Sequence, residues 1–145
     1  MVSYSLNNKL YMTKIIQIKN YTGEKIYPKT YEYILYDNSS GNNGTITLND
    51  SLANYKYIEI FYKSNDNYLE SKRVYNPNGK YTTLLSFTGM TEQDIYGKFR
   101  VIHFDNKAIS TESTRYAEFL LAKNGGIGSW GQKNYIYITR IVGYK

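Results

Sequence analysis

The sequence predicts an all-β chain: an antiparallel β-sandwich or barrel-like domain with at most one short helix. Strand periodicity recurs along the chain while helical periodicity is scarce. The clearest runs are Tyr57 to Tyr62 (YIEIFY), Tyr96 to Phe104 (YGKFRVIHF) and Asn134 to Lys145 (NYIYITRIVGYK). Turn signals separate the runs at spacings of roughly 8–12 residues, as sandwiches and barrels require. The chain is also rich in a strand-favouring residue, with 18 tyrosines among 145 positions.

The elements follow in order. Met12 to Lys19 (MTKIIQIK) predicts a first strand, and Tyr21-Thr22-Gly23 a turn. Pro28 after Ile26 and Tyr27 marks an edge or a bend, because proline cannot donate to a ladder. Tyr31 to Tyr36 is a strand or a short extended arm, and Asp37 to Gly44 (DNSSGNNG) a loop of small polar residues. Thr45 to Leu48 alternates, Asn49 to Asn54 connects, and Tyr57 to Tyr62 places Ile58, Ile60 and Tyr62 on one face. Lys63 to Tyr68 is a turn before the strand Ser71 to Tyr75. Asn76-Pro77-Asn78-Gly79 is a strong turn signal, since proline presets φ and Asn-Gly tolerates positive φ.

Tyr81 to Phe87 is the next strand and Thr88 to Asp94 a loop. Tyr96 to Phe104 is a long strand with Phe99, Val101 and His103 on one face. Asp105-Asn106-Lys107 makes a hairpin turn into Ala108 to Thr114. Tyr116 to Lys123 (YAEFLLAK) is the one segment with helical character, and Asn124 to Gly131 (NGGIGSWG) is a glycine-rich loop. In the terminal strand, Ile136, Ile138 and Val142 are expected to complete the core. Tyr135, Tyr137 and Ile141 fall on the opposite side. The length suits one core. The expected organisation is an extended or connecting region, 1–43, packed on a β-sandwich domain, 44–145.

Composition excludes several classes. With no cysteine there are no disulfides and no thiolate chemistry. No apolar run approaches the ~20 residues that span a bilayer, so no membrane insertion is expected. The N-terminus MVSYSLNNKL lacks the apolar core of a signal peptide. The net charge is +6, but the lysines are scattered singly rather than gathered in a block or stripe. A solvated surface, not a nucleic-acid partner, is expected. The tyrosines have two explanations: a sticky surface of rings with polar tips, or AT-rich codon usage, which also favours the abundant Asn, Lys and Ile.

No constellation for catalysis, metal or cofactor emerges. His103 is the single histidine and lies inside an alternating strand. Gly126-Ile127-Gly128-Ser129 leads into a strand, whereas a nucleophile elbow needs a helix. The carboxylates fall mostly in turns or on mixed faces, which fits solvation better than paired glycosidase acids. Asp66 and the Asp37 to Gly44 loop hold oxygen ligands without a calcium-loop pattern. The candidate ligand-binding residues are Trp130, Tyr135 and Tyr137. Trp130 is the only tryptophan and sits in the glycine-rich loop, where a flat ring can meet a sugar or a partner, or fold back as a lid on the core.

Three stretches carry a resemblance: GTITLNDSLANYKYIEIFYKSNDN (44–67), SKRVYNPNG (71–79) and the terminal NYIYITRIVGYK. Together they resemble the C-terminal domain of tail, baseplate and fibre proteins of siphophages and prophages of low-GC Gram-positive bacteria. YTGEKIYPKTY (21–31) is similar to the junction that often precedes such domains. The resemblance implies a homotrimeric β-sandwich in the virion tail, made in the host cytoplasm and partnered by other tail or baseplate proteins. It implies a non-enzymatic receptor-binding head for cell-surface saccharide, or a structural joint. No saccharide-binding residue carries over, because these differ widely within the class. Around a threefold axis, one partly apolar sheet face would become an oligomer core. A free-standing bacterial carbohydrate-binding or adhesion module is the alternative, and a saccharide depolymerase fragment a third reading.

Overall fold

Alternating side chains resolve into two antiparallel sheets that share one apolar interior. The computed structural model describes residues 31–90, 94–111, 115–122, 131 and 133–145. The strands are β1 (Glu32–Asn42), β2 (Ile46–Thr47), β3 (Tyr57–Ser64), β4 (Leu69–Tyr75), β5 (Tyr81–Met90), β6 (Asp94–Asp105), β7 (Ala108–Ser110), β8 (Tyr116–Ala122) and β9 (Ile136–Tyr144). The first sheet runs β1-β9-β3-β4. The second runs β2-β7-β6-β5, with β8 pairing β6 beyond the end of β7. The protein is therefore an all-β antiparallel sandwich. The helical content among the described residues is one 3-10 turn, Leu52–Asn54, in the connection after β2.

The core is built from both sheets, as facing inner surfaces require. Leu35, Ile58, Ile60, Ile136, Ile138 and Ile141 come from the first sheet, and Ile46, Leu84, Ile102, Phe104 and Ile109 from the second. β3 alternates strictly, with Ile58, Ile60, Tyr62 and Ser64 buried and the residues between them half-buried.

Four expectations change. The segment expected as a helix is a strand over Tyr116 to Ala122, which pair residue by residue with Arg100 back to Asp94. Its Ala, Leu and Glu residues are good helix formers, but intrinsic preference over so short a stretch is weak in energy, and a waiting sheet edge outweighs it. Asp37 to Gly44 is not wholly a loop, because β1 continues to Asn42. Its polar centre bulges, with Asp37 opposite Arg140 and Asn42 opposite Ile138, and Gly41 has φ +81°. Residues 32–42 thus form a strand of the first sheet, and Leu35 enters the core. The third change concerns Thr88 to Asp94, where β5 reaches Met90 and β6 starts at Asp94.

The fourth change is in the terminal strand. Phe61 pairs with Arg140 but Tyr62 with Ile138, which leaves Thr139 as an extra residue in β9. Its hydroxyl donates to the Phe61 carbonyl at 3.1 Å. Because side-chain parity has a period of two, one extra residue reverses the faces beyond it. Ile141 therefore joins the core, and Val142 is buried on the opposite face, paired with Glu59 and Ile34. The strand and turn expected before Tyr31 lie outside the described residues.

The turns show why asparagine is used so often. Asn67, Asn76 and Asn106 each have positive φ, a region asparagine enters more readily than most residues. Gly79 takes φ +73° in the Asn76 to Gly79 turn. The Asn106 amide donates to Asn78 Oδ1 at 2.9 Å, tying the β4–β5 turn to the β6–β7 turn.

Candidate functional site: a lysine-centred cluster beside Tyr135

β6 presents residues of one parity to the interior. That face carries Ile102 and Phe104, both fully buried, but also Arg100 at 0% and Lys98 at 5% exposure. Two cations inside a sandwich need partners, since an unpaired buried charge is strongly disfavoured. The two solve this differently.

Arg100 is held by neutral oxygens. Its Nε donates to Thr111 Oγ1 at 2.6 Å, Nη1 to the carbonyls of Asn42 and Ile136 at 3.1 Å each, and Nη2 to the Gly44 carbonyl at 2.8 Å. Burial lowers its pKa to about 10. With its donors committed to backbone, Arg100 clasps the two sheets together and is not open to a ligand.

Lys98 instead gathers side chains at one end of the sandwich. Its ammonium donates to Asn65 Oδ1 at 2.5 Å and pairs directly with Asp66. Glu118 Oε1 lies at 3.9 Å. Asn65 and Asp66 come from the β3–β4 turn, which is formed by Asn67 at positive φ and by the Asp66 amide donating to Ser64 Oγ. Glu118 comes from β8, directly opposite Lys98. Ser86 is opposite Lys98 on β5, fully buried, and its Oγ has no hydrogen-bond partner among the described residues. Asp66 and Glu118 keep 42% and 39% of their side chains exposed, so each offers a carboxylate edge to solvent.

Tyr135 closes the cluster. Lys98 Nζ is 5.5 Å from its ring centroid and Lys133 Nζ 5.9 Å. The Tyr135 carbonyl accepts from the Asn65 amide at 3.1 Å, and Gly131 pairs with Glu118 across the β8 edge. A ring, an amide and two carboxylates around one ammonium can take neutral hydroxyl-bearing ligands: the carboxylates accept hydroxyl protons and the ring meets an apolar C–H face.

The three candidate residues from sequence separate. Tyr135 belongs to this cluster. Tyr137 lies on β9 opposite Lys63 and against Gly41, on the outer surface of the first sheet. Trp130 lies outside the described residues. Asp66, weighed as a calcium ligand, is instead engaged by the Lys98 ammonium. Among the described residues no group of three or more His, Cys, Asp or Glu is placed to hold a metal ion. His103 stacks on Tyr81 with ring centroids 4.4 Å apart.

Lys98, Asn65 and Glu118 were not singled out from sequence. One signal was available: if Ile102 and Phe104 are core, parity puts Arg100 and Lys98 on the core face too, and charged residues there demand partners. The partners themselves come from distant turns and strands, which spacing alone does not reveal.

A second aromatic surface lies on the outside of the first sheet. Tyr57 stacks on Tyr144 at 4.5 Å and leans on Tyr75 at 5.4 Å, with Arg73 4.7 Å over the Tyr57 ring. A scan against protein-family models finds no match for this chain, and a search of curated proteins finds none either.

Proposed function

We propose that the protein is a non-enzymatic saccharide-contacting head of a phage or prophage tail or baseplate, acting in the virion tail as a homotrimer with other tail proteins. The assignment to tail proteins rests on the resemblance of 44–67, 71–79 and the terminal strand. The observation that supports saccharide contact is the convergence of Tyr135 with Lys98, Asp66, Asn65 and Glu118 at one end of the sandwich. Its charges balance locally, two lysines against two carboxylates, which favours a neutral polyol over an ionic ligand. Both carboxylates are turned to the same ammonium, so neither is set as a free general acid, which supports the reading of binding without cleavage.

The test is a glycan array, followed by saturation-transfer NMR on any hit, with wild type, Tyr135→Ala and Glu118→Gln. Expected is a loss of at least ~10-fold in affinity for both variants, with an unchanged melting temperature and no released product. Equal binding by the variants refutes the site, and released oligosaccharide refutes the non-enzymatic assignment. Light scattering on wild type tests the trimer.

A further inference from the structure

The outer face of the second sheet is apolar across three adjacent strands. Its rows are Leu85–Phe99–Ala117, Phe87–Gly97–Phe119 and Met90–Ile95–Leu121 on β5, β6 and β8. No charged residue stands in these rows. The inner face of the same sheet already forms the core, so both of its faces are built for burial, as in sheets covered on both sides. Yet Leu85 is 37% exposed, Phe87 56%, Met90 79%, Ile95 36% and Leu121 42%.

Phe119 lies across Gly97 so closely that a Cβ there would sit 2.2 Å from the ring's Cζ. Phe87 meets Phe119 edge-on at 6.2 Å. At one end a hollow of about 460 Å³ is lined by Tyr68, Phe87, Gly89, Met90 and Ile95. Met90, the most open of these side chains, forms part of the wall of that hollow.

We infer that this face binds a second copy of the chain. The exposed apolar rows and the hollow they border lie on one surface, so the same patch of two copies can pack face to face, which is the self-complementarity a homo-oligomer contact needs. The open parts of the five apolar side chains amount to roughly 500 Å² per copy, so two faces together bury about 1,000 Å², the size at which specific interfaces begin. Electrostatics selects the same face. Copies of net charge +6 repel one another, and an uncharged face lets them approach without desolvating an ion. This goes beyond the proposed function by naming the contact surface. Its rows lie on the face of β6 opposite to Lys98, while Tyr68 of the hollow shares the β3–β4 connection with Asn65 and Asp66.

The experiment is sedimentation velocity on the full chain from roughly 1 to 100 µM, a span over which a specific homo-oligomer dissociates measurably. The variants are Met90→Asp and Phe87→Asp, with melting temperature as the control for folding. Expected is a wild-type mass of two or three chains, and at least a tenfold weaker association in both variants at a similar melting temperature. If Phe87→Asp fails to fold, the more exposed Met90→Asp carries the test. A wild-type monomer at the highest concentration overturns the inference, as does an oligomer that Met90→Asp leaves intact. A monomer that takes up detergent or fatty acid in the hollow overturns it in favour of a small apolar ligand. A wild-type monomer that still binds saccharide fails this inference alone, and a wild-type oligomer that binds no saccharide fails the saccharide assignment alone.

Discussion

Gly143 lies directly against the ring of Tyr55: a Cβ at position 143 would fall 2.5 Å from Tyr55 Cδ1 and 2.6 Å from Cε1. The ring cannot move away, because the Tyr55 hydroxyl donates to Asp50 Oδ2 at 2.8 Å and Tyr33 packs edge-on at 5.7 Å. The glycine in the terminal strand is therefore there for space and not for backbone freedom. Gly143→Ala is expected to destabilise by ~1–3 kcal/mol through overpacking, measured as a lower urea midpoint at unchanged m-value. A midpoint equal to wild type would show that the ring has room to shift.

Arg100 donates to three carbonyls and a hydroxyl drawn from the first sheet and from the connections beside β2 and β7. Arg100→Leu removes all four bonds and takes this donor from the buried Ile136 carbonyl, with an expected cost of ~1–3 kcal/mol. Arg100→Lys keeps the charge but lacks the planar fork, and should recover only part of that loss. Equal stability of the two variants in chemical denaturation would refute the role of the fork.

Acid stability should pass through Asp50. Burial pushes its carboxyl up, but the hydrogen bonds from the Tyr55 hydroxyl, the Ser51 amide and the Asn54 side chain outweigh this, and the net shift is below the ordinary 3.8. A folded pKa below the unfolded one means that the unfolded chain takes up the proton first. The stabilisation is therefore complete above about pH 4 and is lost as pH falls through the folded value. Asp50→Asn should cost ~1–2 kcal/mol at neutral pH and flatten the acid limb of a melting-temperature profile. An acid limb identical to wild type would rule Asp50 out.

Alkaline behaviour should be set by Tyr55, Tyr62 and Tyr144, with burial and the Asp50 carboxylate raising Tyr55 furthest. Burial, aided by Glu70, raises Tyr62 to about 12, while burial with Glu32 and Glu59 raises Tyr144 to about 12. Folded values above the unfolded 10.0 give stability that is complete below pH 10 and lost as pH rises toward 12. In an absorbance titration of phenolate, these three rings should ionise late and together with unfolding. Tyr62→Phe, which loses the 2.9 Å bond to the Leu85 carbonyl, should cost ~1 kcal/mol and remove one late proton.

Much of the fold was legible from the chain alone. Alternation in 57–62 and 96–104, with the turns at Asn76 to Gly79 and Asp105 to Lys107, identified an all-β sandwich, because strand parity and turn chemistry are local properties. The site was legible only at Tyr135. Lys98, Asn65, Asp66 and Glu118 are brought together by β3–β4 turn geometry and by the pairing of β6 with β8, neither of which leaves a spacing signature.

What local sequence determined was the type of most strands and the position of most turns. Tertiary structure decided the rest: that Tyr116 to Ala122 is a strand, that Ile141 rather than Val142 enters the core, and that two cations of β6 lie inside. Each of these depends on a partner distant in the chain. A sheet edge overrides weak helical preference, one bulged residue at Thr139 reverses every face after it, and a buried charge is tolerable only where folding delivers its acceptors.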